Sequence, residues 1–302
     1  MIEQALYEHL RNSEDLARCL TKYDGELAVF NQEAPSDMDE LWAPGPQYGR
    51  LVFAVDLQGD PERTMGGILT VDIMCKETQL QEEEDSIQCL PEEIEPIVKS
   101  LIHGYFFSNS TFTFTVAAQW KNSSYFTEPT EHVIGCTVTF DLLGFPVLTT
   151  PDPDIVTRIN RWTSERFNED CKRLHVINYD ELPAEAWRPS EGSSAVYWRL
   201  VTDNPANWIP DTFQTIWRTA TLKCHIFSED HAIAATVARI LTTRLYAEKR
   251  ILKCKETPIM VNRRNTVDIG ADPLRTGQVT VEATYGIIVH IEPDGKIEKI
   301  NY

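Results

Sequence analysis

The sequence is poor in the patterns that carry most enzyme chemistry. Its 302 residues hold no Gly-x-x-x-x-Gly-Lys or Gly-x-Gly-x-x-Gly loop, no His-Glu-x-x-His and no Gly-x-Ser-x-Gly. Nucleotide cradling, zinc hydrolysis and a nucleophile elbow thus have no sequence signal, and no cofactor or metal is expected. No apolar run approaches the roughly 20 residues that cross a bilayer. The start, Met1-Ile2-Glu3-Gln4-Ala5-Leu6, has neither the basic opening nor the apolar stretch of a secretory signal, so a cytoplasmic protein is expected. The 7 cysteines are widely spread, odd in number and free of any Cys-x-x-Cys pair, which favours reduced core thiols over disulfides or a zinc site. Positive charge is scarce in the first half. Residues 1–149 carry 8 Lys and Arg against 25 Asp and Glu, a net of −17 out of −18 for the whole chain. A surface that acidic repels the nucleic-acid backbone, so wrapping DNA through basic contacts is disfavoured.

What is present is an order of signals that occurs twice. A first helix is expected over Ile2–Leu10, with Ile2, Ala5, Leu6, His9 and Leu10 on one face. A loop ending in Ala43-Pro44-Gly45-Pro46 follows, then strands at Leu51–Val55 and Gly67–Cys75. Pro91 opens a second helix with a stripe of Ile94, Ile97, Val98, Leu101 and Ile102, and strands near 111–116 and 132–140 close the half. The second half repeats the order: a helix from Ile155, strands at 195–201 and 217–227, a long helix over 230–250 striped by Ile233, Val237, Ile240, Leu241 and Leu245, and strands near 257–261 and 278–291. Two domains are therefore expected, 1–149 and 150–302. Each reads α-β-β-α-β-β, an α+β fold of two tandem copies of a small antiparallel sheet with helices packed on one face.

Residues with chemical potential are few. Asp72 and Asp141 lie within strand patterns without a visible partner, a weak basis for a cytoplasmic hydrolase. Asp152-x-Asp154 is better explained as a helix cap than as a metal pair. His103 and His225 read as structural or surface histidines. The run Glu82-Glu83-Glu84-Asp85 lacks the spacing of a metal loop and reads as a solvated acidic insert. The loop Trp208-Ile209-Pro210 is the sharpest feature, either tucked onto its own sheet or presented as a rigid apolar arm for a neighbouring subunit.

The short helix Ile2–Leu10, the loop ending near Pro46, the strands Leu51–Val55 and Ile68–Cys75, the helix Ile94–Tyr105 and the strand Thr137-Val138-Thr139-Phe140 together resemble the tail terminator (tail completion) proteins of long-tailed bacteriophages. The second half resembles the same fold and the related neck domains. Family members are usually one domain, so a tandem form is a departure, as is the acidic insert at 78–88. The resemblance implies a structural virion protein rather than an enzyme, assembled in the host cytoplasm. It would form a homo-oligomeric, hexameric ring at the neck, cap the tail tube, stop its polymerisation, contact tube and head–tail connector proteins, and let DNA pass without binding it. On that reading Glu82, Glu83, Glu84 and Asp85 stand at the channel rim and Trp208, Ile209 and Pro210 at an interface. A minor tail or baseplate adaptor is the alternative. No membrane partner is expected.

Overall fold

The computed structural model describes residues 2–44, 47–59, 65–76, 89–108, 114–146, 154–170, 174–177, 186–190, 192–212, 215–248, 259–262, 265–273 and 276–288. The chain divides into two compact units, Met1–Val147 with Ile177–Pro189, and Leu148–Val176 with Ser190–Tyr302. The first runs α1 (Ile2–Arg11), a 3-10 turn (Leu16–Arg18), β1 (Lys22–Tyr23), β2 (Glu26–Leu27), β3 (Val29–Asn31), β4 (Arg50–Gly59), β5 (Met65–Lys76), α2 (Pro91–Ile102), β6 (Phe106–Phe107), β7 (Phe114–Glu128) and β8 (Val133–Pro146). The second runs α3 (Ile155–Asp170), β9 (Leu174–Val176), β10 (Ser194–Pro205), β11 (Thr215–Ser228), α4 (His231–Glu248), β12 (Met260–Val261), β13 (Thr266–Val267) and β14 (Val279–Ile288).

The first sheet is ordered β3-β4-β5-β8-β7-β6, the second β12-β14-β11-β10-β9 with β13 also on β14. Both follow one plan. A three-residue strand lies parallel to the first long strand, β3 on β4 and β9 on β10. That strand pairs antiparallel with a second (β5 or β11), which pairs antiparallel with the last of its unit (β8 or β14).

This overturns the fold class expected from the sequence. Among the described residues 46% are in strands and 25% in helices, and each sheet is mixed and curled into a half-barrel rather than small and antiparallel with helices layered on one face. Two physical reasons account for the difference. The parallel edge strands are too short to leave a period-2 signal. The long strands run well past their alternating stretches: β7 reaches Glu128, whereas alternation is legible only to Val116. Long paired strands twist, and a twisted sheet of this length curls.

Period-2 alternation sends Leu51, Phe53, Leu69, Val71, Ile73, Val116, Cys136, Val138 and Phe140 into the first core. There they meet Ile2, Leu6 and Leu10 of α1 and Ile94, Val98 and Ile102 of α2. Each such side chain contributes about 2 kcal/mol relative to exposure. His9 of α1 ties the two helices together through the Leu101 carbonyl, at 2.8 Å. In the second core, Trp198, Leu222, Cys224, Val281 and Tyr285 meet Ile155, Ile159 and Trp162 of α3 and Leu241 and Leu245 of α4. Here the helix stripe is displaced from the expected one. Ala234 and Ala238 are the buried partners of Leu241 and Leu245, and their small side chains let the helix approach the sheet closely. Ile233, Val237 and Ile240 instead flank the contact and line a cavity of about 290 Å³ with Phe167 and Leu174.

Polar pins fix the loops. Asp37 in the 32–48 loop accepts from Arg50 Nη1 at 2.7 Å and from the Tyr48 hydroxyl at 2.9 Å, and Arg50 stacks over the Tyr48 ring. These contacts outweigh burial and hold the Asp37 carboxyl below its usual range. Trp187 exchanges backbone hydrogen bonds with Phe106, so a segment lying between β9 and β10 in sequence extends the β6 edge of the first unit. Cys19 and Cys89 form a disulfide, with Cα atoms 5.0 Å apart and a sequence separation of 70. The expectation of reduced thiols fails for this pair because the fold, not the spacing, brings them together. Cys75, Cys136 and Cys224 are buried free thiols, and Cys171 and Cys254 lie outside the described residues.

The second sheet is buried on both faces along β10, where Ser194 through Leu200 are all inaccessible. His225, on the face opposite the helices, is fully buried and its Nδ1 donates to the Pro273 carbonyl at 2.7 Å. Burial pulls His225 down from 6.5 to about 4, against that hydrogen bond and helped by nearby Arg199.

Three outcomes are expected. Between pH 6.5 and about 4 the unfolded chain protonates this histidine and the folded one does not, so this group removes about 1.4 kcal/mol of stability for each unit by which the pH is lowered. Urea midpoints at pH 7 and 5 should therefore converge in His225→Gln relative to the parent. Cys19→Ser or reduction should cost about 4 kcal/mol, read from the same unfolding curves. Gly135 sits where a Cβ collides with the Phe126 ring and the Ile73 carbonyl, so Gly135→Ala should cost about 1–3 kcal/mol.

Candidate assembly surface

The β10–β11 hairpin is braced from within. A bulge between Leu200 and Thr202 shifts the pairing, so that Leu200 faces Leu222 but Asp203 faces Ala220. The extra residue turns Asp203 toward the inner face, which Leu200 and Trp198 occupy further down. There Arg218 donates through Nε to Asp203 Oδ1 at 2.9 Å and through Nη2 to the Asp203 carbonyl at 2.7 Å. The Tyr285 hydroxyl of β14 donates to Asp203 Oδ2 at 2.9 Å. Asp203 raises the Arg218 guanidinium, and burial followed by Asp203 pushes the Tyr285 phenol well up. A half-buried carboxylate satisfied on both oxygens by two strands is a rigid joint.

Beyond this joint the loop closes through its own hydrogen bonds. Ala206 N–H donates to the Trp217 carbonyl at 2.9 Å, Ile209 N–H to the Ala206 carbonyl at 3.0 Å, and Trp217 N–H to Asp211 Oδ1 at 2.8 Å. Trp208 stands out from this frame, 64% exposed, with Ile209 half-buried beneath it and Pro210 exposed. The tucked-in arrangement weighed from the sequence is not the one adopted. Ile216 and Ile288 are 39% and 49% exposed, on adjoining strands where Thr215 pairs with Ile288. Ile216 pairs with Ile287, so Ile216 and Ile288 point to opposite faces of the sheet, and the hairpin end presents Trp208 on a backbone that is already fixed, the geometry of a preorganised contact.

The remaining sequence candidates are dispersed. Glu82, Glu83, Glu84 and Asp85 lie outside the described residues. Asp72 accepts from Thr137 Oγ1 at 2.6 Å, and Asp141 pairs with Lys121 at 3.0 Å. They sit on neighbouring strands about four residues apart in register, roughly 13 Å, and do not form a carboxylate pair. Asp154 caps α3 by accepting from Val156 N–H at 3.0 Å and Thr157 N–H at 3.1 Å. His103 Nδ1 accepts from the Trp120 backbone N–H at 3.1 Å, and burial lowers its pKa. Sequence reasoning found the Trp208 loop through its prolines. It missed Asp203, Arg218 and Tyr285, which only strand pairing unites.

Removing the joint should loosen the tip. Asp203→Ala is expected to cost about 2 kcal/mol and to raise the hydrogen-exchange rates of the Ala206 and Trp217 amides. Unchanged exchange there would show that the loop closes without Asp203. The chain matches no protein-family model and no curated protein sequence.

Proposed function

We propose that this protein is a structural subunit of a closed ring, a tail terminator that caps the tail tube of a long-tailed bacteriophage. The observation that carries the reading is the braced hairpin end bearing Trp208, 64% exposed. A tryptophan held out on a stiff frame supplies contact area at small entropic cost when it enters a neighbour's pocket. A heterologous contact of this kind, repeated about an axis, closes into a ring. The shared strand plan of the two units is consistent with a duplicated single-domain ancestor.

In this account the ring, about six chains, stacks on the last layer of tube protein and occupies the surface where further subunits add. Its opposite face receives the head connector. The net charge of −17 on residues 1–149 borders the bore and denies phosphates a binding partner as DNA moves through. The chain's contribution is shape and charge.

The test is tube assembly in vitro. Tube protein polymerised with this chain should give short, capped tubes by electron microscopy, with density at one end. Trp208→Ser should leave the monomer's unfolding midpoint unchanged and restore long tubes. Tubes of equal length with and without the parent protein would remove the terminator reading.

A further inference from the structure

The first unit holds a second surface that the ring reading does not use. An open groove of about 870 Å³ runs between the outer face of α1 and the β1–β2–β3 segment. Its α1 wall presents Glu3, Tyr7 and Arg11, and its other wall Tyr23, Asp24 and Glu33. The α1 side chains there lie on the face adjoining that of Ile2, Leu6 and Leu10, with Tyr7 packed partly against the core.

The electrostatics of the groove are one-sided. Arg11 is its one cation among the described lining residues, and Arg11 is matched by Glu26 through a hydrogen-bonded ion pair and also donates to the Tyr7 hydroxyl at 3.2 Å. With that pair neutral, Glu3, Asp24 and Glu33 leave three negative charges facing one open trough. The walls also offer aromatic faces. Tyr23 and Phe30 are set edge to face at 5.5 Å, and Tyr23 is held by its hydroxyl on Asp39 at 3.1 Å. Carboxylates interleaved with fixed aromatic rings suit ammonium or guanidinium groups on aliphatic stems. The floor includes β3, the terminal strand of its sheet, so the groove runs beside a sheet edge that favours an extended backbone.

We propose that this groove receives an extended, lysine- or arginine-bearing segment of a partner protein, with Glu3, Asp24 and Glu33 holding the cations and Tyr7, Tyr23 and Phe30 their stems. The proposal commits to a basic peptide on charge complementarity and is independent of the ring.

The experiment measures fluorescence anisotropy of labelled octapeptides with the full chain at low ionic strength. The probes alternate valine with lysine, with serine or with glutamate. The lysine probe should bind and weaken as salt rises, and the serine and glutamate probes should bind at least about tenfold more weakly. Glu3→Gln/Asp24→Asn/Glu33→Gln, which keeps the groove's shape, should weaken the lysine probe by about tenfold or more. A control with three exposed carboxylates neutralised elsewhere in the unit, Glu14→Gln/Asp56→Asn/Glu128→Gln, should leave it bound as in the parent. Equal losses in both triple variants would overturn the proposal by assigning binding to overall charge. Equal binding of lysine and serine probes would overturn the basic preference. If the groove variant instead lowers the native mass of the chain, the occupant is a second copy and the partner assignment falls. Loss of ring closure with peptide binding intact would count against the ring alone.

Discussion

Each unit depends on filling the hollow of a curled mixed sheet with apolar side chains from its strands and its two helices. Leu6, Leu10, Val98 and Ile102 in the first unit are at or near zero exposure, as are Ile155, Ile159, Leu241 and Leu245 in the second. Without that cover the inward rows of the sheet, Leu51 and Phe53 or Leu222 and Cys224, would face water along most of each strand. The helices also settle where polar joints can form, because the inner face is apolar in the middle and polar only toward the strand ends. Asp203, Arg218 and Tyr285 exploit one such end in the second unit. In the first unit Arg50, at the start of β4 and on the face away from Leu51 and Phe53, secures a long loop by stacking on Tyr48 and pairing with Asp37.

Much of this skeleton could be read from the residues. The helices beginning at Ile2, Pro91 and Ile155 start where capping and periodicity place them, and Asp154 caps rather than ligates. The strands around Val52, Val71, Val196 and Leu222 are where apolar alternation indicates. Sheet class was not legible. Strands of three residues, such as Val29–Asn31 and Leu174–Val176, carry no period, yet their parallel pairing makes both sheets mixed. The Asp24-Gly25 turn was a local signal that went unused: both residues have positive φ, 50° and 80°, and close the β1–β2 hairpin. The Cys19–Cys89 bond could not have been found by spacing, since its ends have a sequence separation of 70.

The candidate surface shows the same division. Trp208 stood out in sequence because prolines flank it, but whether it points in or out is decided by hydrogen bonds among Ala206, Ile209 and Trp217 that no local pattern specifies. The bulge after Leu200 is likewise silent in sequence, and it converts Asp203 from a surface carboxylate into a joint. Rigidity behind an exposed apolar tip is what links fold to assembly in the ring account. Acidity concentrated before residue 150 supplies that account with its repulsive bore.

The most direct measurement of the central claim is the native mass of the purified full-length chain over a range of concentrations. With 34.5 kDa per chain, a closed ring of about six chains gives a species near 200 kDa that persists on dilution without a ladder of intermediates. A 34.5 kDa monomer at every concentration, with tube protein present as well as without it, would contradict the account.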